Sequence, residues 1–155
     1  MVKRKTLTNE QALQKLKHYC SYQERCHSEV RSKLYQLGVT KKSHDELIAE
    51  LIQQDYLNEE RFAMAFARGK FKMNSWGKKK IVQALKAKQI SEYCIKQALK
   101  QIGDDDYFEA IQKLATKKFE HLNGEKEPVK KNAAIAYLVS RGFEAKEVMK
   151  VFEKQ

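Results

Sequence analysis

Leu34-Tyr35-Gln36-Leu37-Gly38-Val39 recurs 51 residues later as Leu85-Lys86-Ala87-Lys88-Gln89-Ile90, and 53 residues after that as Leu138-Val139-Ser140-Arg141-Gly142-Phe143. An apolar residue, a polar stretch and then Gly followed by an apolar residue is how many helices end, because Gly accepts the left-handed conformation just past the last turn. Each phrase therefore closes the second helix of a unit. Working outward in the first unit, Thr8-Asn9-Glu10-Gln11 reads as a capping box, and Leu13, Leu16 and Cys20 form an apolar stripe, giving a helix over residues 8–22. Val30, Leu34 and Leu37 mark the second helix. Ser43, with Glu46 reaching back, is expected to cap a third through Leu47, Ile48, Leu51 and Ile52.

The same order returns twice. Asn58 opens a helix through Phe62, Phe66 and Met73, Ile81 and Leu85 mark the next, and Ser91 caps a third through Ile95 and Leu99. Asp104 to Asp106 start the last unit, with Ile111, Leu114 and Phe119, then Ala134 and Leu138 after Glu127-Pro128, then Val148 and Phe152. A period near 50 with three helices per unit predicts an all-α chain, an elongated tandem array of three three-helix repeats over residues 8–54, 56–102 and 104–155.

Composition agrees with that class. A chain of 155 residues with 42% hydrophobic content buries roughly 70% of its extended surface, enough for a core without metal or disulfide. One Pro and six Gly suit helices joined by short connections better than a β-sandwich. No run of about 18 uncharged apolar residues occurs, and Met1-Val2-Lys3-Arg4-Lys5 leads into polar residues, so no membrane partner and a cytoplasmic location are expected. Cys20, Cys26 and Cys94 are an odd set without C-x-x-C, which fits bare thiols in a reducing compartment. His18, Cys20, Cys26 and His27 match no common zinc spacing, and Asp104 to Asp106 are accounted for as first-turn acids at a helix start. No phosphate loop or catalytic motif is present, so neither an enzyme nor a bound cofactor is expected.

The charge is local. Residues 61–91 hold nine Lys or Arg and no acid, whereas 22 basic and 20 acidic residues lie elsewhere, so one stretch carries +9 of the net +11. A polyanion is the partner such a segment suits. At about 100° per residue, Phe62, Phe66, Gly69 and Met73 share one stripe and Met64, Ala67 and Phe71 another, leaving Arg61, Arg68 and Lys72 as a cationic row between them. Lys79 and Lys86 lie opposite the Ile81 and Leu85 stripe, flanked by Lys78 and Lys80. With Lys70, these are the candidate contact residues. Trp76 either stacks on a base or plugs the junction before the next helix, and its place beside a helix start favours the plug.

Asp55-Tyr56-Leu57-Asn58-Glu59-Glu60-Arg61-Phe62-Ala63, followed by Trp76-Gly77-Lys78-Lys79-Lys80-Ile81, resembles the central signature of the RecX family. Glu24-Arg25-Cys26 with Glu29-Val30 and Lys33-Leu34 is similar to the family's first-repeat motif, and Leu138 to Phe143 to its third-repeat ending, so the resemblance covers residues 10–153. Three positions depart from the pattern. Cys26 replaces a Ser or Thr cap, which is expected to move the second helix start to Ser28; Gln89 replaces Gly; and Thr40 to Ser43 lengthen the first connection by about three residues.

The resemblance implies a non-enzymatic regulator of recombination and DNA repair. It would bind RecA filaments on single-stranded DNA, lie in the filament groove as a monomer, and suppress strand exchange, ATP turnover and coprotease activity. Its cations Arg61, Arg68, Lys72, Lys79 and Lys86 would supply the electrostatic hold. The competing expectation is a direct DNA-binding module with residues 76–88 as the reading helix of a helix-turn-helix-like pair. Its Lys-rich face suits phosphates better than base edges.

Overall fold

The computed structural model describes residues 7–153, so the Met1 to Lys5 start and the last two residues of the expected third repeat lie outside the described residues. Those described form nine helices and no strand: α1 (Asn9–Tyr22), α2 (His27–Gln36), α3 (Lys41–Gln53), α4 (Glu59–Asn74), α5 (Lys78–Ala87), α6 (Glu92–Leu99), α7 (Asp104–His121), α8 (Glu127–Ser140) and α9 (Ala145–Glu153). Contacts between helices concentrate within each successive triplet.

The three helix endings have the same backbone geometry. Gly38, Gln89 and Gly142 all take positive φ, at 75°, 64° and 95°. The next amide reaches back five residues in each case, Val39 to the Leu34 carbonyl at 3.0 Å, Ile90 to Leu85 at 3.1 Å and Phe143 to Leu138 at 3.1 Å. That bond and its apolar contact are the Schellman closure. All six of these apolar residues are buried.

Helix starts follow side-chain chemistry, with two departures from expectation. Thr8 Oγ1 accepts from the Gln11 amide at 3.1 Å while the Thr8 amide donates to Gln11 Oε1 at 3.0 Å. Asn58 and Ser91 cap α4 and α6 through their side-chain oxygens. α2, however, starts at His27 rather than Ser28, because Cys26 itself takes the extended cap conformation and its amide donates to Glu29 Oε1 at 3.1 Å. α3 starts two residues before Ser43. Thr40 is its extended N-cap, and the Ser43 amide already bonds the Thr40 carbonyl at 3.0 Å. Thr40 thus stands where Ser91 does in the second unit, and the extra residues lengthen α3 instead of the connection.

Two cores result. Ala12, Leu16, Val30, Leu34, Leu47 and Leu51 of the first repeat form one cluster, closed by Leu57 at the start of the second, whereas Phe62, Ala67, Phe71, Ile81, Leu85, Tyr107, Ile111, Leu138 and Phe143 form one that runs through the second and third. Met73 does not join its expected stripe; it lies in the last turn of α4, past the packed part of the helix, and is 86% exposed.

The seams also carry specific polar contacts. Between repeats 1 and 2, Arg61 Nε lies 2.6 Å from Glu24 Oε2, and Lys88 Nζ lies 3.3 Å from Glu29 Oε2. Between repeats 2 and 3 the backbones touch. The Gly77 amide donates to the Arg141 carbonyl at 2.8 Å and the Lys79 amide to the Gly142 carbonyl at 2.9 Å.

Candidate polyanion interface

α4 and α5 position the basic segment. Asn58 fixes the start of α4 by accepting from the Arg61 amide at 2.9 Å, and α4 ends where Ser75 turns left-handed at φ 56°. The chain then passes through Trp76 and Gly77 into α5, whose first turn is Lys78-Lys79-Lys80. Three cations at the positive end of a helix dipole oppose it, at about 0.3–1 kcal/mol each when exposed, so the local potential is raised at some cost to the helix.

Each predicted cation has a definite environment. Arg68, Lys72, Lys79 and Lys86 are exposed and make no ion pair among the described residues. Arg61 does not belong with them. Besides Glu24, its guanidinium binds the Asp55 carboxylate at 3.1 Å and the Asp55 carbonyl at 3.0 Å. The Glu24 hydrogen bond, outweighing partial burial, lifts its pKa above the ordinary arginine value. Arg61 is therefore occupied in joining repeats 1 and 2, which corrects its expected place in a free cationic row.

The remaining lysines lean on rings. Trp76 is half-buried against the core, and the ammonium groups of Lys70 and Lys80 lie 4.9 and 4.7 Å from its ring centroid. Phe66 meets the indole edge-on at 6.3 Å. Trp76 is thus the junction plug favoured above, with cations gathered over it. Lys78 Nζ stands 4.6 Å from the Tyr107 ring, whose hydroxyl accepts from the Lys78 amide at 3.0 Å and donates to Glu144. Burial, then the Glu144 bond, push the Tyr107 pKa far above the ordinary tyrosine value.

The cations do not lie on one edge. Lys70 stands about 160° round α4 from Arg68, so Lys70, Lys80 and Trp76 form one basic surface while Arg68 and Lys72 face another way. Acids approach that second row: Glu24 of repeat 1 and Glu60 of α4 itself line a groove with Arg68, and Asp106 and Glu109 of repeat 3 line one with Lys72. Sequence distance hid those acids, since only the folded array brings residues 24 and 106 to the sides of α4. The amides of residues 77, 78 and 79 are all bonded to repeat 3, so the α5 start offers ammonium groups and not free backbone donors.

The comparisons with known proteins agree on one family. Residues 58–99 match the model of the second three-helix domain of RecX, and residues 104–152 that of the third. The chain is 29% identical over 111 residues to the regulatory protein RecX of Lactobacillus johnsonii, covering 72% of this chain and 41% of that protein. It is 32% identical over 130 residues to the regulatory protein RecX of Lactococcus lactis subsp. lactis, covering 81% and 48%. The chain thus spans about half the length, or less, of these curated relatives. The crystal structure of RecX from Lactobacillus salivarius superposes with a TM-score of 0.86 at 25% identity, over 94% of this chain and 95% of that one. The two domain models together match more than half of the chain, in the order and places of its second and third helical triplets, and the chain belongs to the RecX family.

Proposed function

We propose that this chain is a non-enzymatic, monomeric, cytoplasmic regulator that binds RecA filaments on single-stranded DNA, lies along the filament groove, and inhibits recombinase, ATPase and coprotease activities. The observation that carries it is the exposure of Arg68, Lys72, Lys79 and Lys86 without ion-pair partners among the described residues, on the middle unit of a helical array. Membership in a family of regulatory proteins supports it. Units in series can follow a groove across neighbouring protomers of a fibre, and unpaired cations lower the cost of approaching acidic protein surface and phosphate. The helix-turn-helix alternative asks the start of α5 to enter a major groove. That end is instead covered by the Arg141 to Phe143 backbone of repeat 3.

The test is the ATPase rate of RecA on single-stranded DNA with this protein added. Wild type is expected to depress it, and the Arg68→Glu, Lys72→Glu, Lys79→Glu triple variant to need at least about tenfold more protein for the same effect, the equivalent of about 1.4 kcal/mol. No inhibition by wild type would remove the function; equal inhibition by both would remove the residue assignment.

A further inference from the structure

The groove between the first and second helices of repeat 1 is an open cavity of about 490 Å³, within the range of sites that hold small ligands. Lys15, His18, Tyr19 and Tyr22 of α1 line it with Arg25 and Lys33, and no carboxylate does. It lies outside the two matched domain models.

Its parts are built rather than scattered. The Arg25 guanidinium sits 3.8 Å from the Tyr19 ring centroid, and its Nε donates to the Tyr19 carbonyl at 3.1 Å, so the cation is fixed in place on the ring. Lys33 Nζ stands 5.4 Å from the same ring. Tyr22, at the mouth, is 78% exposed.

The repeat explains why this groove is open. At the offset of 51, Tyr19 corresponds to Lys70 and Arg25 to Trp76, so both units keep one aromatic and one cation at these positions with the roles exchanged. In repeat 2 the indole plugs the junction beneath Lys70 and Lys80. In repeat 1 the slimmer guanidinium stands at that position, beside a cavity. Repeat 3 does not keep the pairing, since the positions 104 residues after Tyr19 and Arg25 hold Asn123 and Val129.

We propose that the repeat-1 groove binds one or two nucleotides of a single-stranded nucleic acid, a base stacking on Tyr22 and the flanking phosphates held by Lys15, Arg25 and Lys33. Aromatic faces interleaved with cations recognise unpaired bases. A duplex keeps its bases stacked out of reach of Tyr22, and an acidic peptide would use the cations but leave the tyrosine face idle. The assignment does not depend on the filament reading, which concerns the middle repeat.

The test uses fluorescence anisotropy with the full chain and no recombinase, comparing labelled oligothymidylate with an abasic strand of equal phosphate number. Wild type is expected to prefer oligothymidylate. Tyr22→Ala should lose about 5- to 150-fold on oligothymidylate, the worth of one stacked base, with the abasic affinity unchanged. Tyr22→Phe should retain the preference, and Lys15→Glu should weaken both strands. The Lys79→Glu, Lys86→Glu variant separates the two readings, because it should leave the ratio of the two affinities intact. Equal wild-type affinity for the two strands, or a Tyr22→Ala variant that binds oligothymidylate like wild type, would overturn the proposal.

Discussion

A Cβ added to Gly77 would lie 2.2 Å from the backbone nitrogen of Phe143, closer than any real Cβ contact, and a Cβ on Gly142 would lie 2.4 Å from Lys80 Cβ. The two glycines let the α4–α5 turn and the α8–α9 turn press together, which is what the Gly77 to Arg141 and Lys79 to Gly142 hydrogen bonds require. Backbone on both sides cannot yield as a flexible side chain could. Gly77→Ala is expected to destabilise the chain by about 1–3 kcal/mol in urea denaturation, the usual cost of overpacking. A midpoint equal to wild type would mean that the seam is not seated as described.

Arg61 is expected to behave as a structural cation. Glu24 and Arg61 are each about one-third exposed, so the pair should show a coupling of only about 0.5–1 kcal/mol in a double-mutant cycle of thermal stability. Arg61→Gln should leave polyanion affinity of the folded protein within about twofold of wild type, whereas Arg68→Gln should lower it. Equal losses would return Arg61 to the binding set.

Gln89 occupies a position that its two counterparts fill with glycine, at φ 64°. The left-handed conformation costs a residue with a Cβ roughly 1–2 kcal/mol, part of which is offset by the freer unfolded chain of a glycine. Gln89→Gly should therefore stabilise by about 0.5–1 kcal/mol and raise Tm by a few degrees. A lower Tm would show that Gln89 makes a compensating interaction.

Tyr107 ties three elements together, and its ring also lies 5.3 Å from that of Phe143 and 5.9 Å from that of Phe71. Tyr107→Phe leaves the Lys78 amide without its acceptor and is expected to cost about 1–3 kcal/mol at neutral pH. The pH dependence has a definite sign. The folded pKa is raised, so the unfolded chain releases this proton first; the stabilisation is present below about pH 10 and is lost above it, at up to about 1.4 kcal/mol per pH unit. Stability measured by urea between pH 10 and 11 should fall more steeply for wild type than for Tyr107→Phe. Parallel slopes would mean that the hydroxyl ionises freely.

Local signals made the fold legible. Thr8 with Gln11, Asn58, Ser91 and the three Schellman endings all act within six residues, and side chains that close are bound to act on their own backbone. The caps Cys26 and Thr40 are not legible in the same way, because their roles rest on backbone conformation and not on a strong side-chain acceptor. The grouping of the candidate cations was not legible in the sequence. Arg61 is neutralised by Glu24, 37 positions away, and Lys70 turns to Trp76 while Arg68 turns from it. The repeat-1 groove is not legible from charge, because Tyr19, Arg25 and Lys33 carry no dense run of it; the alignment of Tyr19 with Lys70 and Arg25 with Trp76 is its signal in the sequence.

The central claim is that unpaired cations of the middle repeat hold the chain on a negatively charged fibre, and the salt dependence of binding to RecA filaments on single-stranded DNA tests it most directly. Each lost phosphate contact reduces the slope of log affinity against log salt by roughly 0.7 on a single strand. The account predicts a steep negative slope for wild type, and for Lys79→Glu, Lys86→Glu a weaker affinity with a slope shallower by about one unit or more. A salt-independent wild type, or a variant with an unchanged slope and affinity, would contradict it.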